Sequence, residues 1–139
     1  DHTLLAALDE DQLARLEPLL EHRSFAAGDR ILRRGDPATE ILLVTSGHVS
    51  VLAPDGEGGT RRLSTVSAGL VLGEAAVLGH GVRLADARAD RDGDYYALPS
   101  ATLDDLDRTD PALKAALLRG LLIGAHDAFS RVARSTSGA

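Results

Sequence analysis

The chain contains no cysteine, which excludes disulfides and thiolate chemistry. Aromatic residues are only 3% of the sequence, so its core must be built from Leu, Val, Ile and Ala. The same scarcity leaves little stacking surface for single-stranded nucleic acid. A basic stripe is missing as well. The arginines are scattered and the formal net charge is −6, so this segment carries no electrostatic footprint for nucleic acid. No apolar run is long enough to span a bilayer, and no secretory signal is visible. A cytoplasmic location without membrane contact is therefore expected. His2, His22, His48 and His126 have no metal-ligand spacing, and no metal is expected. There is no P-loop and no Gly-x-Ser-x-Gly elbow. Without a catalytic set, the chain is not expected to be an enzyme.

What is present fits one soluble domain. The 139 residues are 44% hydrophobic and 26% charged, enough for a single core. The sequence begins at Asp1 without methionine, and a piece of a longer polypeptide is expected. Leu4 to His22 reads as helix. Asp9 and Gln12 fit a capping box, Leu13, Leu16, Leu19 and Leu20 form an apolar face, and Pro18 should kink or divide the segment. Residues 1–22 thus form an N-terminal helical part. Over residues 23–99 short runs rich in Val, Ile, Leu and Thr alternate with Gly, Asp and Pro. The expected strands are Arg23–Phe25, Arg30–Arg33, Glu40–Ser46, Val49–Leu52, Arg61–Val66, Leu84–Ala89 and Tyr95–Leu98. Many short strands with regular turn signals indicate a mainly-β antiparallel sandwich or barrel. Helical periodicity returns over residues 100–134. Ser100 can cap Ala101–Arg108, and Asp110-Pro111 opens a long helix. Leu113, Leu117 and Leu121 recur on one face of that helix, which Leu118 and Leu122 widen.

The segment from Gly69 to Ala89 reads GLVLGEAAVLGHGVRLADARA. Gly73-Glu74 is followed by two alanines, and Arg83 stands ten residues after Gly73. A carboxylate and a guanidinium at the ends of a small-residue loop can hold a ligand bearing both a sugar and a phosphate. Upstream, Gly28, Gly35 and Gly47 each separate strand-like runs where a positive φ is often required. With Gly69-x-x-x-Gly73-Glu74 and Arg83, this spacing resembles the cyclic nucleotide-binding domain family. The stretch AGDRILRRGDPATEILLVTSGHVSV from Ala27 to Val51 is similar to its first four strands. GEAAVLGHGVR is similar to its phosphate-binding cassette, placed here at residues 69–89.

The resemblance implies an eight-stranded jelly roll (a double-stranded β-helix) with flanking helices. It also implies a ligand, cyclic AMP or cyclic GMP, and no other cofactor. Glu74 would accept from the ribose 2′-hydroxyl, and Arg83 would pair with the cyclic phosphate. The N–H groups of Ala75 and Ala76 after Gly73 would face the same anion, as a helix N-terminus favours. Leu84 and Ala85 would border the ligand. Three positions depart from the family's pattern. Leu84 replaces a small or hydroxylated residue, Asp86 stands where threonine is frequent, and Val82 replaces a proline. They define a second reading: a domain that no longer binds and serves for dimerisation or for docking on a parent enzyme or transporter. In the family the C-terminal helix closes over the base, so the helix from Pro111, hinged at Thr109-Asp110, is the expected lid. Its broad apolar face equally suits a homodimer seam. No helix-turn-helix follows, and the segment resembles regulatory domains attached to bacterial metabolic enzymes such as glutaminases.

Overall fold

The computed structural model describes residues 8–73, 77, 79 and 81–121. Chain order is helix α1 (Glu10–Leu16), a 3-10 turn (Glu17–Leu19), and strands β1 (Glu21–Phe25), β2 (Arg30–Leu32), β3 (Glu40–Pro54), β4 (Thr60–Ser67), β5 (Val71–Leu72) and β6 (Asp86–Pro99). Helix α2 (Ser100–Thr109) follows, and helix α3 covers residues 111–121 of the described chain.

The amino-terminal helix is shorter than its leucine pattern suggests. Asp9 and Gln12 do form a reciprocal capping box, but helix ends at the turn containing Pro18. Leu20 is already extended (φ −92°, ψ 146°), and His22 and Arg23 pair with Tyr96 and Tyr95 of β6. Sheet pairing outweighs helix periodicity there, and the roll begins at Glu21 rather than residue 23. Residues 4–7 of the expected helix lie outside the described residues.

All strand pairs are antiparallel, in the order β1-β6-β3-β4, with β2 on β6 and β5 on β3. Two breaks expected from turn-forming residues are bends within strands. Ser46-Gly47 lies inside β3 and Asp90–Asp94 inside β6, and the register between these strands slips around Ser46 and His48. Gly47 (φ +91°) makes the bend possible, because a Cβ there would lie 2.8 Å from the Asp92 carbonyl oxygen and 2.9 Å from the Gly93 Cα. Each long strand is thus two segments, and the six strands of the described residues provide eight segments, as a jelly roll has. The short β5 has no counterpart among the expected strands. Leu84 and Ala85, expected to begin a strand, precede β6.

The helices pack on the outside of the roll. Ile41 and Leu43 of β3 join Leu98 of β6, Leu16 of α1, Leu103 and Leu106 of α2, and Leu113, Leu117 and Leu121 of α3 in one buried cluster. Leu42, Val44 and Val49 face the other way, into the roll with Phe25, Val66, Leu72, Ala87, Ala89, Tyr95 and Ala97. The run Ile41–Val44 is apolar throughout because both faces of its strand are covered. Ser100 is not a cap: Pro99 holds that position without a side-chain bond. The Ser100 N–H instead donates to the Thr39 carbonyl at 2.8 Å. Asp110 does cap α3, its Oδ1 accepting from Leu113 N at 3.2 Å. Among the described residues no helix is long and apolar enough to cross a membrane.

Candidate functional site

Arg83 is held by its backbone first. Its N–H donates to the Asp36 carbonyl at 2.8 Å, and its carbonyl accepts from Gly35 N at 2.9 Å. Ala38 N donates to the Gly81 carbonyl at 2.8 Å, and Pro37 bridges Val82. The segment 35–38 thus runs as a strap beside residues 81–83. Alternation along this strap decides which side chains turn inward. Arg83 is 5% exposed, whereas Val82 and Leu84 on either side are 42% and 60% exposed.

The buried guanidinium is aimed by two backbone oxygens. Nη1 donates to the Gly73 carbonyl at 3.1 Å, and Nη2 donates to the Glu40 carbonyl at 2.6 Å. The Gly73 carbonyl also accepts from Val77 N at 3.4 Å, so it joins the arginine to the backbone at Val77. Gly73 has φ +84°, and a Cβ on it would collide with Arg83 Nη1 and lie 3.2 Å from Cζ. The guanidinium therefore rests on a surface that only glycine provides. Carbonyls orient a cation without cancelling its charge. Burial accordingly pushes the Arg83 pKa below its ordinary value, opposed by the negative charge of Glu40. Guanidinium nonetheless stays protonated in proteins, which leaves a desolvated positive charge with a planar donor face, suited to phosphate.

Glu40 is engaged at both ends. Its carbonyl accepts from Arg83, and its Oε1 lies 2.5 Å from Arg23 Nη1 on β1. A side-chain hydrogen bond with Tyr95, together with Glu40 and against the cost of burial, holds the Arg23 pKa above its ordinary value. Neither Glu40 nor Arg23 figured among the expected site residues. The available signal was a lone carboxylate opening the apolar run Ile41–Val44, on the face shared by Leu42 and Val44.

Of the expected site residues, the structure brings Gly73 and Arg83 together. Glu74, Ala75 and Ala76 lie outside the described residues. Leu84 projects to solvent, and Ala85 is partly buried in the bend before β6. Asp86 is committed elsewhere: Oδ1 accepts from Arg34 N at 2.9 Å, and Oδ2 lies 3.7 Å from Arg30 Nη1. No group of acidic or histidine side chains among the described residues could hold a metal.

An antiparallel jelly roll with flanking helices and a buried arginine over a glycine carbonyl is the architecture of a regulatory roll, and comparison with known proteins identifies the family. The model of the cyclic nucleotide-binding domain matches residues 22–110, and the chain belongs to that family, a family of regulatory binding domains. It is 31% identical over 118 residues to the uncharacterized NTE family protein Rv2565 of Mycobacterium tuberculosis, covering 85% of this chain and 20% of that protein. It is 33% identical over 121 residues to Glutaminase 1 of Bradyrhizobium diazoefficiens, covering 87% of this chain and 19% of that enzyme. The chain thus spans about a fifth of the length of these curated relatives. In structure it resembles the N-terminal domain of a transcriptional regulator from Streptomyces coelicolor A3(2), with TM-score 0.77 and 28% identity over 99% of this chain and 90% of that one.

Proposed function

We propose that this domain binds cyclic AMP or cyclic GMP and passes the binding event to a linked parent domain. Arg83 pairs with the cyclic phosphate, Glu74 accepts from the ribose 2′-hydroxyl, and the N–H groups of Ala75 and Ala76 complete the anion site. Leu84 and Ala85 border the ligand. The observation that carries the reading is the buried Arg83 guanidinium, aimed by the carbonyls of Gly73 and Glu40. Holding a desolvated charge in place before the ligand arrives removes an ordering cost from binding. Asp86, which would repel a phosphate, is tied to β2 and the turn after it.

The signal passes through α3. Its cap, Asp110, ends α2 through its own N–H to the Leu106 carbonyl at 3.0 Å and begins α3 through its carboxylate. A single residue joining two helices in this way is a natural pivot, and closure of α3 over the base is the proposed output.

The test is isothermal titration of the chain with each nucleotide, alongside Arg83→Ala. The variant should bind about ten- to a hundredfold more weakly, the scale of a lost charge-assisted hydrogen bond, with its far-UV spectrum retained. Equal affinity in the variant would place the ligand elsewhere. No uptake of either nucleotide by the folded wild type would leave the docking or dimerisation role.

A further inference from the structure

We propose that Arg23 tunes the anion affinity of Arg83 by holding the Glu40 carboxylate away from it. The inference deepens the nucleotide-binding reading and rests on it for the identity of the anion.

Glu40 touches both arginines. Its carbonyl lies 2.6 Å from Arg83 Nη2, and its Oε1 lies 2.5 Å from Arg23 Nη1. As the first residue of β3, it shares a face with Leu42 and Val44, the face that looks into the roll. Arg23 pairs across β1 and β6 with the buried Tyr95 of that same interior. Its side chain is 39% exposed against 21% for Glu40, so Arg23 draws the carboxylate toward the rim of the roll.

The Glu40 carboxylate acts through space on the buried Arg83 guanidinium, and the backbone of the same residue touches it, so this acid is an internal competitor for any external anion. The competition is governed by where the acid is held. Paired with Arg23, it leaves the Arg83 donors to the ligand. Released, its charge is drawn toward the Arg83 guanidinium, which its own backbone already contacts, and pairing there would repay part of the cost of burying both charges. Through-space attraction between Glu40 and Arg83 already opposes the effect of burial on the arginine. Arg23 thus acts on the ligand through Glu40, as a positioning residue that need not touch it.

The experiment compares wild type, Arg23→Ala, Glu40→Gln and the double variant with two readouts. In calorimetric titration with cyclic AMP and cyclic GMP, Arg23→Ala should weaken binding about two- to fivefold, on the scale of one partly exposed charge pair. Glu40→Gln removes the competing charge and should tighten binding about two- to threefold. The double variant should bind like Glu40→Gln. In nitrogen-15 NMR of the ligand-free proteins, the Arg83 Nε–H signal should move in Arg23→Ala and return in the double variant. A double variant as weak as Arg23→Ala would show a merely structural role and overturn the inference, as would an Arg83 signal indifferent to Arg23. Should Arg23→Ala fail to fold, weaker binding by Glu40→Gln alone would overturn it. A wild type that binds neither nucleotide would defeat the proposed function, while the Arg83 signal would still decide whether Glu40 moves onto the guanidinium.

Discussion

At Gly73 a methyl group would meet two separate penalties. The positive φ costs any other L-residue roughly 1–2 kcal/mol, and the added carbon would collide with the Arg83 guanidinium. Gly28 separates the two effects. It has a similar φ of +92°, but a Cβ there meets nothing within 4 Å. Gly28→Ala and Gly73→Ala should both lower the urea midpoint, and only Gly73→Ala should also weaken nucleotide uptake, by about tenfold or more if it disrupts one charge-assisted hydrogen bond. Equal binding by the two variants would mean that the Gly73–Arg83 contact does not matter to the ligand. This pair is legible in the amino-acid sequence, where glycine, glutamate and arginine keep a recognisable interval. Glu40 and Arg23 are not. They stand 17 residues apart in sequence and meet only because β1 and β3 both pair with β6, a fact no local pattern contains.

The strands show where local chemistry misleads. Ser46-Gly47 and Asp90–Asp94 carry turn-forming residues, which on their own signal turns. Each is instead half of a cross-strand event in which Gly47 packs on Gly93 and both strands bend together. The helices are more legible, because capping by Asp9 and Asp110 depends on neighbours three residues away. What the period does not tell is the destination of α3. Leu117 and Leu121, candidates for a dimer seam, lie in the buried cluster with Ile41 and Leu98 of the same chain, while Leu118 is 38% exposed. Leu117→Ala should therefore cost about 2–5 kcal/mol of stability by opening a cavity, and Leu118→Ala within about 0.5 kcal/mol, both read from denaturant midpoints. Similar small losses would mean that α3 is not docked on the sheet in solution. A charged residue at Leu117 would disrupt this layer whether or not the chain dimerises, so self-association is better probed at Leu118.

At the scale of the molecule, three aspartates among the described residues stitch distant segments together, and each is held below the usual carboxylate range. For Asp90 the main cause is the hydrogen bond from Ser50, followed among the favourable contacts by His48, and it ties β6 to β3. For Asp94 the causes are Ser24 and Ser46, which join β6 to β1 and to β3. For Asp110 the first cause is Arg15 of α1, whose Nε lies 2.7 Å from Oδ2, so the amino-terminal helix grips the pivot of α3. Each carboxylate binds its proton less readily folded than unfolded. Their stabilising contribution is therefore complete above the unfolded pKa of about 3.9 and is lost as the pH falls through the lower folded values. General repulsion acts in the same direction, because protonating the 21 acidic residues leaves 15 Lys and Arg unopposed. Asparagine substitutions separate the two. Asp90→Asn and Asp110→Asn keep the side-chain shape but remove the titrating charge, so each should lower the urea midpoint at pH 7 and have less effect at pH 3, below the unfolded pKa, where part of the charge's contribution to folding is already lost. Equal losses at the two pH values would assign the acid sensitivity to net charge alone. If Asp110→Asn also changes nucleotide affinity at pH 7 while Asp90→Asn does not, the link from Arg15 to the α3 cap belongs to the output path as well as to the fold.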